Sequence, residues 1–268
     1  MRAHLSSPVY GAGALRSNAE GAVDWSDDAI VLSVRSLGES GAIVEALTRA
    51  HGRHLGLVRG GASRRMKPLL QPGNTLHLHW RARLSEHLGS FQVELARARA
   101  GELMDGRESL IGLNALTAAA SAAMPEREAH ENVFAAGEIL LDAMVEDGLD
   151  HWGPLFVRWE AGLLDALGFG LDLSHCAATG ATEDLIYVSP RSGRAVSRAG
   201  GVAYKERLFA LPPFLLGSQN AVTRADIAAG LKLTGYFLLE RVLAPHGKEM
   251  PAARLRLDEL AARESHTT

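Results

Sequence analysis

Between Asn74 and Leu84 apolar residues alternate with basic ones and imidazoles. Leu76, Leu78, Trp80, Ala82 and Leu84 form one set, and His77, His79, Arg81 and Arg83 the other. A period of two commits such a segment to a strand, with the apolar set turned to a core and the basic set to the opposite face. Its neighbours fit the same sheet. Ala29–Arg35 is a compact run rich in Ile, Val and Leu, Ile43–His51 and His54–Arg59 flank Gly52 as a hairpin, and Ser90–Arg99 supplies a fifth strand. Five short strands without an intervening long helix predict a small barrel. An OB-type barrel is the natural candidate, because it leaves one sheet face and its loops free for oligonucleotides. The strand count fits an SH3-like barrel as well.

From about Glu108 the period changes. Leu110, Leu113, Leu116 and the alanines up to Ala123 predict a helix that Pro125 stops. Glu126–Glu146 predicts a second, with Val133, Phe134, Ile139, Leu140 and Met144 on its apolar face. Leu155–Leu167 and Thr223–Leu243 predict two more, the latter opened by Thr223 and Asp226 in a capping-box arrangement. Helices with short connections imply a bundle. Gly170–Gly201, rich in Gly, Ser and Thr, interrupts it as an inserted loop with a small hairpin around Ser189–Gly193. The expected class is therefore α+β. Residues 1–24 form a disordered N-terminal extension, 25–100 an OB-fold β-barrel, and 101–268 a helical domain with an insertion at about 171–201.

Charge is segregated along this plan. No Asp or Glu occurs from Arg49 to Arg83, although the net charge of the 268 residues is −3. The window holds Arg49, Arg53, Arg59, Arg64, Arg65, Lys67, Arg81 and Arg83, with His51, His54, His77 and His79 among them. Arg64, Arg65 and Lys67 lie in a Gly- and Ser-containing stretch that reads as a flexible basic loop. Such a window suits a polyanion, through backbone contacts that neutralise phosphates and release counterions. From Glu102 to Asp150 acids dominate, with Arg107 and Arg127 the only bases. The candidate nucleic-acid-binding residues are Arg49, Arg53, Arg59, Arg64, Arg65, Lys67, His77, His79, Arg81 and Arg83.

Catalysis finds no support. Cys176 beside His175 is the only thiol–imidazole pair, the basic window lacks carboxylates to hold metal ions, and no phosphate-binding loop for ATP is present. His77 and His79 share a strand face, but Arg81 and Arg83 beside them would repel a cation. The single cysteine fits a reducing cytoplasm, and no apolar run approaches the roughly 20 residues that span a bilayer.

From Trp25 onward the chain resembles the bacterial recombination mediator family RecO. The carrying segments are Trp25–Leu32, Leu37–Thr48, Gly52–Gly61, Ser63–Lys67, Leu70–Gly73, and Trp159–Leu173 followed by Cys176. The resemblance implies an N-terminal OB fold, a helical domain and a zinc or zinc-remnant subdomain. It also implies a non-catalytic role in RecF-type DNA repair. The family binds single- and double-stranded DNA, anneals complementary strands and works with RecR to load RecA on DNA coated by single-strand-binding protein. The implied location is the cytoplasm, at the nucleoid, and the implied free state is a monomer.

Two departures bear on these expectations. Zinc-bearing members carry two Cys-x-x-Cys pairs, whereas Cys176, Thr179, Ser197 and Gly200 stand at the matching positions. One thiolate does not make a four-ligand site, so no zinc and no other cofactor is expected. The segment before Trp25 is the second departure. Val23-Asp24-Trp25 resembles the family's usual opening, and Val23 is expected to be a misread GTG start. For the acidic, hydrophobic tail of single-strand-binding protein, the candidate contacts are Phe237, Leu238, Arg241, Lys248, Arg254 and Arg256, because such a tail needs an apolar pocket rimmed by cations. Without the resemblance, an RNA- or ribosome-associated OB protein is the alternative reading.

Overall fold

The computed structural model describes residues 16–17 and 23–263. The expected disordered extension therefore lies mostly outside the described residues. Val23 and Asp24, counted within it, are the first residues of a strand.

The first sheet has six strands: β1 (Arg16–Ser17), β2 (Val23–Leu37), β3 (Gly41–Thr48), β4 (Gly52–Val58), β5 (Thr75–Ala82) and β6 (Ser90–Arg97). β2 is long enough to serve two partners. Its first half runs antiparallel to β5, from Val23↔Ala82 to Ile30↔Thr75, and its second half pairs with β3, from Ala29↔Thr48 to Leu37↔Gly41. The register shifts between Val31 and Ser33, and a bulge of this kind bends a strand and increases its twist.

The expected closed OB-type barrel is corrected here. The strand order is β1-β2-β3-β4-β6-β5, and β2 also reaches β5, so the sheet curls strongly. At the β4–β6 junction, however, only Leu57 and Ser90 are in register, as a parallel pair. β4 ends at Val58, where Gly60 (φ 71°) turns the chain away, and β6 begins only after Gly89 (φ 63°). The ladder has no length in which to form, and the sheet is not closed into a barrel.

The β5 alternation is as the sequence dictates. Leu76, Leu78, Trp80 and Ala82 are buried, whereas His77 and Arg81 are exposed. Inside the curl, Trp25, Ala29, Val31, Val44, Leu78, Trp80 and Phe91 form one core. Gly56 is small for a reason: a Cβ there would lie 2.4 Å from the Phe91 ring. On the other side of β2 and β3, Ile30, Leu32 and Leu47 join a second core, built mainly by helices.

Those helices are α1 (Ala100–Asp105), α2 (Arg107–Ala123), α3 (Glu131–Glu146), α4 (Leu149–Ala166), α5 (Arg198–Gly201), α6 (Arg224–Phe237) and α7 (Ala252–Arg263). α3 starts later than expected, because Glu126–His130 is drawn against β4: the Arg127 N–H donates to the Arg53 carbonyl. Ile139, expected on its apolar face, is 61% exposed. α4 begins at Leu149, earlier than expected, and tolerates Pro154 within it. The Leu149 N–H, one of the orphan donors of a helix start, is capped by the Glu108 carboxylate at 2.6 Å. The Thr223–Asp226 capping box on α6 is present in both directions. α6 runs on into a π-helical turn at Leu238–Leu243.

The insertion is a second sheet of three strands, β7 (Leu185–Val188), β8 (Ala195–Ser197) and β9 (Phe209–Ala210), in the order β8-β7-β9. The Ser189–Gly193 turn connects the first two, closed by the Ser189 N–H donating to the Arg194 carbonyl. Among the described residues, no helix is long and apolar enough to cross a membrane.

Candidate nucleic-acid interface

The acid-free window is acid-free only along the chain. Folding gives its cations and imidazoles three different fates.

Two arginines are spent on the seam between sheet and helices. Arg53 is largely covered, bonds Glu45 at 2.7 Å, donates to the Met124 carbonyl and reaches Glu126 at 3.5 Å. Arg49 lies over the Phe134 ring, 4.6 Å from its centroid, and faces Glu131 at 3.7 Å. Arg97 and Arg99, just beyond the window, behave alike: buried Arg99 engages Glu138 and Asp142, and Arg97 shares Asp142. The acidic stretch thus absorbs part of the basic one. Gly52 fixes the same seam, because its φ is 69° and a Cβ would fall 2.1 Å from the Glu128 carbonyl oxygen.

The histidines are also occupied. His77 lies 3.1 Å from Asp28, and His79 lies 3.1 Å from the Ser26 hydroxyl and 3.7 Å from Asp24. Strand β6 sets Glu94 opposite His77. The β5 face expected as a basic ladder is therefore of mixed charge, because acids arrive from strands remote in sequence. His51 stacks on Trp25 with ring centroids 4.1 Å apart and meets Asp27 at 3.0 Å. His54 is buried among Trp25, Trp80 and Phe91, and that burial lowers its pKa to about 4.

The third group is free. Arg59, Arg64, Arg65, Lys67, Arg81 and Arg83 are exposed, and none of them forms an ion pair among the described residues. Register brings the strand ends that precede Arg59 and carry Arg81 near each other. Ser90 of β6 pairs with Leu57 of β4 on one side and Arg81 of β5 on the other, so these two strands leave the sheet about 10 Å apart, two strand spacings. Arg35, which lies outside the Arg49–Arg83 window, is also exposed and unpaired on β2 among the described residues.

The segment carrying Arg64, Arg65 and Lys67 is not a loose loop. The Lys67 and Met66 N–H groups donate to the Ser63 carbonyl, the Leu70 N–H donates to the Met66 carbonyl, and Leu70 is buried. The Asn74 side-chain amide donates to the carbonyls of Pro68 and Leu69, closing the base of the turn. Consecutive tight turns leave the cationic side chains outside on a fixed backbone.

The residues expected to receive an acidic tail do not assemble as a pocket. Phe237 and Leu238 are core, 2% and 0% exposed. Arg254 is fully buried, with its guanidinium donating to both Glu160 oxygens and to the Leu231 carbonyl. Arg241 donates to the Arg191 carbonyl and Lys248 to that of Ala122, while Arg256 is exposed on α7. Burying a charge requires full pairing, which Glu160 and Asp258 supply to Arg254.

The four positions of the zinc-like region do converge. The Ser197 N–H and hydroxyl donate to the Cys176 Sγ at 3.2 and 3.3 Å, and the Gly200 N–H donates to the Ser197 hydroxyl oxygen. Burial opposes ionisation of this thiol, but the donors from Ser197, Thr179 and Ala178 outweigh it and bring its pKa to about 6. Among the described residues no cluster of three or more His, Cys, Asp or Glu side chains could hold a metal ion.

Comparison with known proteins covers most of the chain. "Recombination protein O N terminal" matches residues 23–99, and "Recombination protein O C terminal" matches residues 105–250. A DNA repair protein RecO of Phenylobacterium zucineum is 52% identical over 235 residues, covering 88% of this chain and 96% of the relative. RecO of Cereibacter sphaeroides is 51% identical, with 90% and 99% covered, and RecO of Rhodospirillum rubrum is 49% identical, with 91% and 98% covered. The chain belongs to the RecO family of DNA repair and recombination proteins.

Proposed function

We propose that Arg59, Arg64, Arg65, Lys67, Arg81 and Arg83 form the DNA-binding surface of this protein. Family membership makes the chain a non-catalytic recombination mediator of the RecF-type pathway, one that binds DNA, anneals complementary strands and acts with RecR and single-strand-binding protein. The observation that carries the site is that these six cations remain exposed and unpaired among the described residues, while the other arginines of the window are bound by acids. Unpaired cations on a fixed backbone bind phosphates without first breaking an ion pair. Strand annealing and DNA affinity, measured for wild type and for Arg64, Arg65 and Lys67 changed together to Ala, test the assignment. Unchanged affinity would overturn it.

For the tail of single-strand-binding protein we propose a receptor other than the one the sequence suggested, because Phe237, Leu238 and Arg254 are buried. We place it in the groove of about 470 Å³ lined by Arg158, Asp165, Leu171, Leu173, Phe214 and Leu215, where the tail carboxylate would sit at the Arg158 end. There the exposed Arg158 guanidinium donates to the Phe214 carbonyl at 2.9 Å, sits 5.8 Å from the Phe214 ring and has further N–H groups to offer, giving the carboxylate and the apolar side chains of such a tail adjacent partners. Arg158→Ala should weaken capture of the tail peptide and leave DNA binding intact. Undiminished capture would remove the groove from consideration. Cys176, Ser197 and Gly200 hold their turn by hydrogen bonds, and we infer that the protein works without zinc.

A further inference from the structure

Between the β2–β3 hairpin and the basic turns lies a cleft of about 250 Å³. Its walls include Val34, Ala42, Leu70 and Pro72, and Ser36, Lys67 and Gln71 bring polar groups to it. We propose that this cleft takes one unpaired nucleobase, so that the protein reads the strandedness of DNA and not only its charge. The proposal rests on the DNA-binding surface described above, since Lys67 belongs to both.

Several observations point to a base. The cleft is smaller than the ~300–1,000 Å³ of a drug-sized ligand site, which suits a single planar ring. Its apolar walls can sandwich a ring, and flipped or splayed bases are held elsewhere by apolar as well as aromatic side chains. Hydrogen-bonding capacity is present and unspent. Among the described residues, the Ser36 hydroxyl and the Lys67 ammonium make no side-chain hydrogen bond or ion pair, and Gln71 uses only its amide N–H, on the Lys67 carbonyl.

Charge selects the occupant. Arg64, Arg65 and Lys67 on the adjoining turns are exposed cations without ion pairs among the described residues. A chain that lays a ring into the cleft is therefore favoured if it carries negative charge beside that ring, as a nucleotide does. In a duplex the ring is stacked and paired and must first be extruded, at a cost of a few kcal/mol. The walls are also pre-formed: Gly61 packs so closely that a Cβ would lie 2.6 Å from that of Ala42, and the Leu70 side chain is fixed in the core.

The test compares an intact single-stranded oligonucleotide with the same backbone carrying a run of abasic sites, on wild type and on Ser36→Trp. Ser36 is exposed, and the indole would fill the cleft. Wild type should bind the intact strand about tenfold more tightly than the abasic one, the equivalent of ~1.4 kcal/mol. Ser36→Trp should bind both equally, with its salt dependence unchanged. Equal binding of the two strands by wild type would overturn the cleft assignment while leaving the cationic surface standing. If wild type bound neither strand, the surface and the cleft would fall together. Should Ser36→Trp fail to fold, the wild-type comparison still decides.

Discussion

Replacing Arg64, Arg65 and Lys67 together with Ala removes half of the six unpaired cations and leaves the sheet untouched, because all three side chains are exposed. Counterion release sets the magnitude. Each phosphate neutralised contributes about −0.7 to the slope of log K against log salt for single strands, and about −0.9 for duplex. With all six cations engaged, wild type should show a slope of about −4 on single strands, and the variant about −2. A fourfold rise in salt should then weaken wild type by about 300-fold and the variant by about 20-fold. Fluorescence anisotropy over a salt series gives both slopes directly. A control sharpens the reading: Arg53→Ala removes a cation already held by Glu45 and Glu126, so its slope should equal that of wild type, although the protein is less stable. Equal slopes for wild type and the triple variant would refute the division of cations into spent and free.

Arg254→Ala should leave Glu160 buried with the Thr234 hydroxyl but without its cation, lowering unfolding free energy by about 3–5 kcal/mol in urea titrations while the salt slope of any folded fraction stays at the wild-type value. His54 is neutral in the folded protein and has its ordinary pKa of 6.5 when unfolded. Its contribution is complete above about pH 6.5 and is lost as pH falls toward 4, by up to ~3 kcal/mol; His54→Phe should flatten that part of the pH–stability curve, and an unflattened curve would count against buried neutral imidazole. Elemental analysis should find no stoichiometric zinc, and a chelator should leave the melting temperature unchanged. One metal per chain would show that the Cys176 turn is held otherwise than by Ser197.

Much of the fold was legible because local pattern and final packing agree. The apolar phase of 76–82 is the buried phase of β5, and the Thr223–Asp226 box opens α6 where its spacing says it should. What failed to show was whatever depends on residues meeting from a distance. Ile139 has the right spacing for the α3 apolar face, but no element covers it. Barrel closure turns on how far β4 and β6 run side by side, which the turns at Gly60 and Gly89 decide and strand counting does not. The site suffered most from this. Asp24 and Asp28 lie far from His77 and His79 in sequence but beside them across the β2–β5 ladder. Phe237 and Arg254 read as a pocket wall and its cationic rim because a buried Arg looks, in sequence, like any other.

The seam built by Arg49, Arg53, Arg97 and Arg99 against Glu126, Glu131, Glu138 and Asp142 has a practical consequence for anyone dissecting the protein. A fragment cut after the sheet would shed every one of those carboxylates at a stroke. Arg53 would keep Glu45, but the liberated guanidiniums of Arg49, Arg97 and Arg99 would form a second, artificial polyanion site on the face the helices normally cover. Such a fragment would outbind the intact chain for reasons that have nothing to do with repair. On the proposed assignment the helical half is thus also an electrostatic blank, covering cations of the sheet that would otherwise attract DNA from a second side.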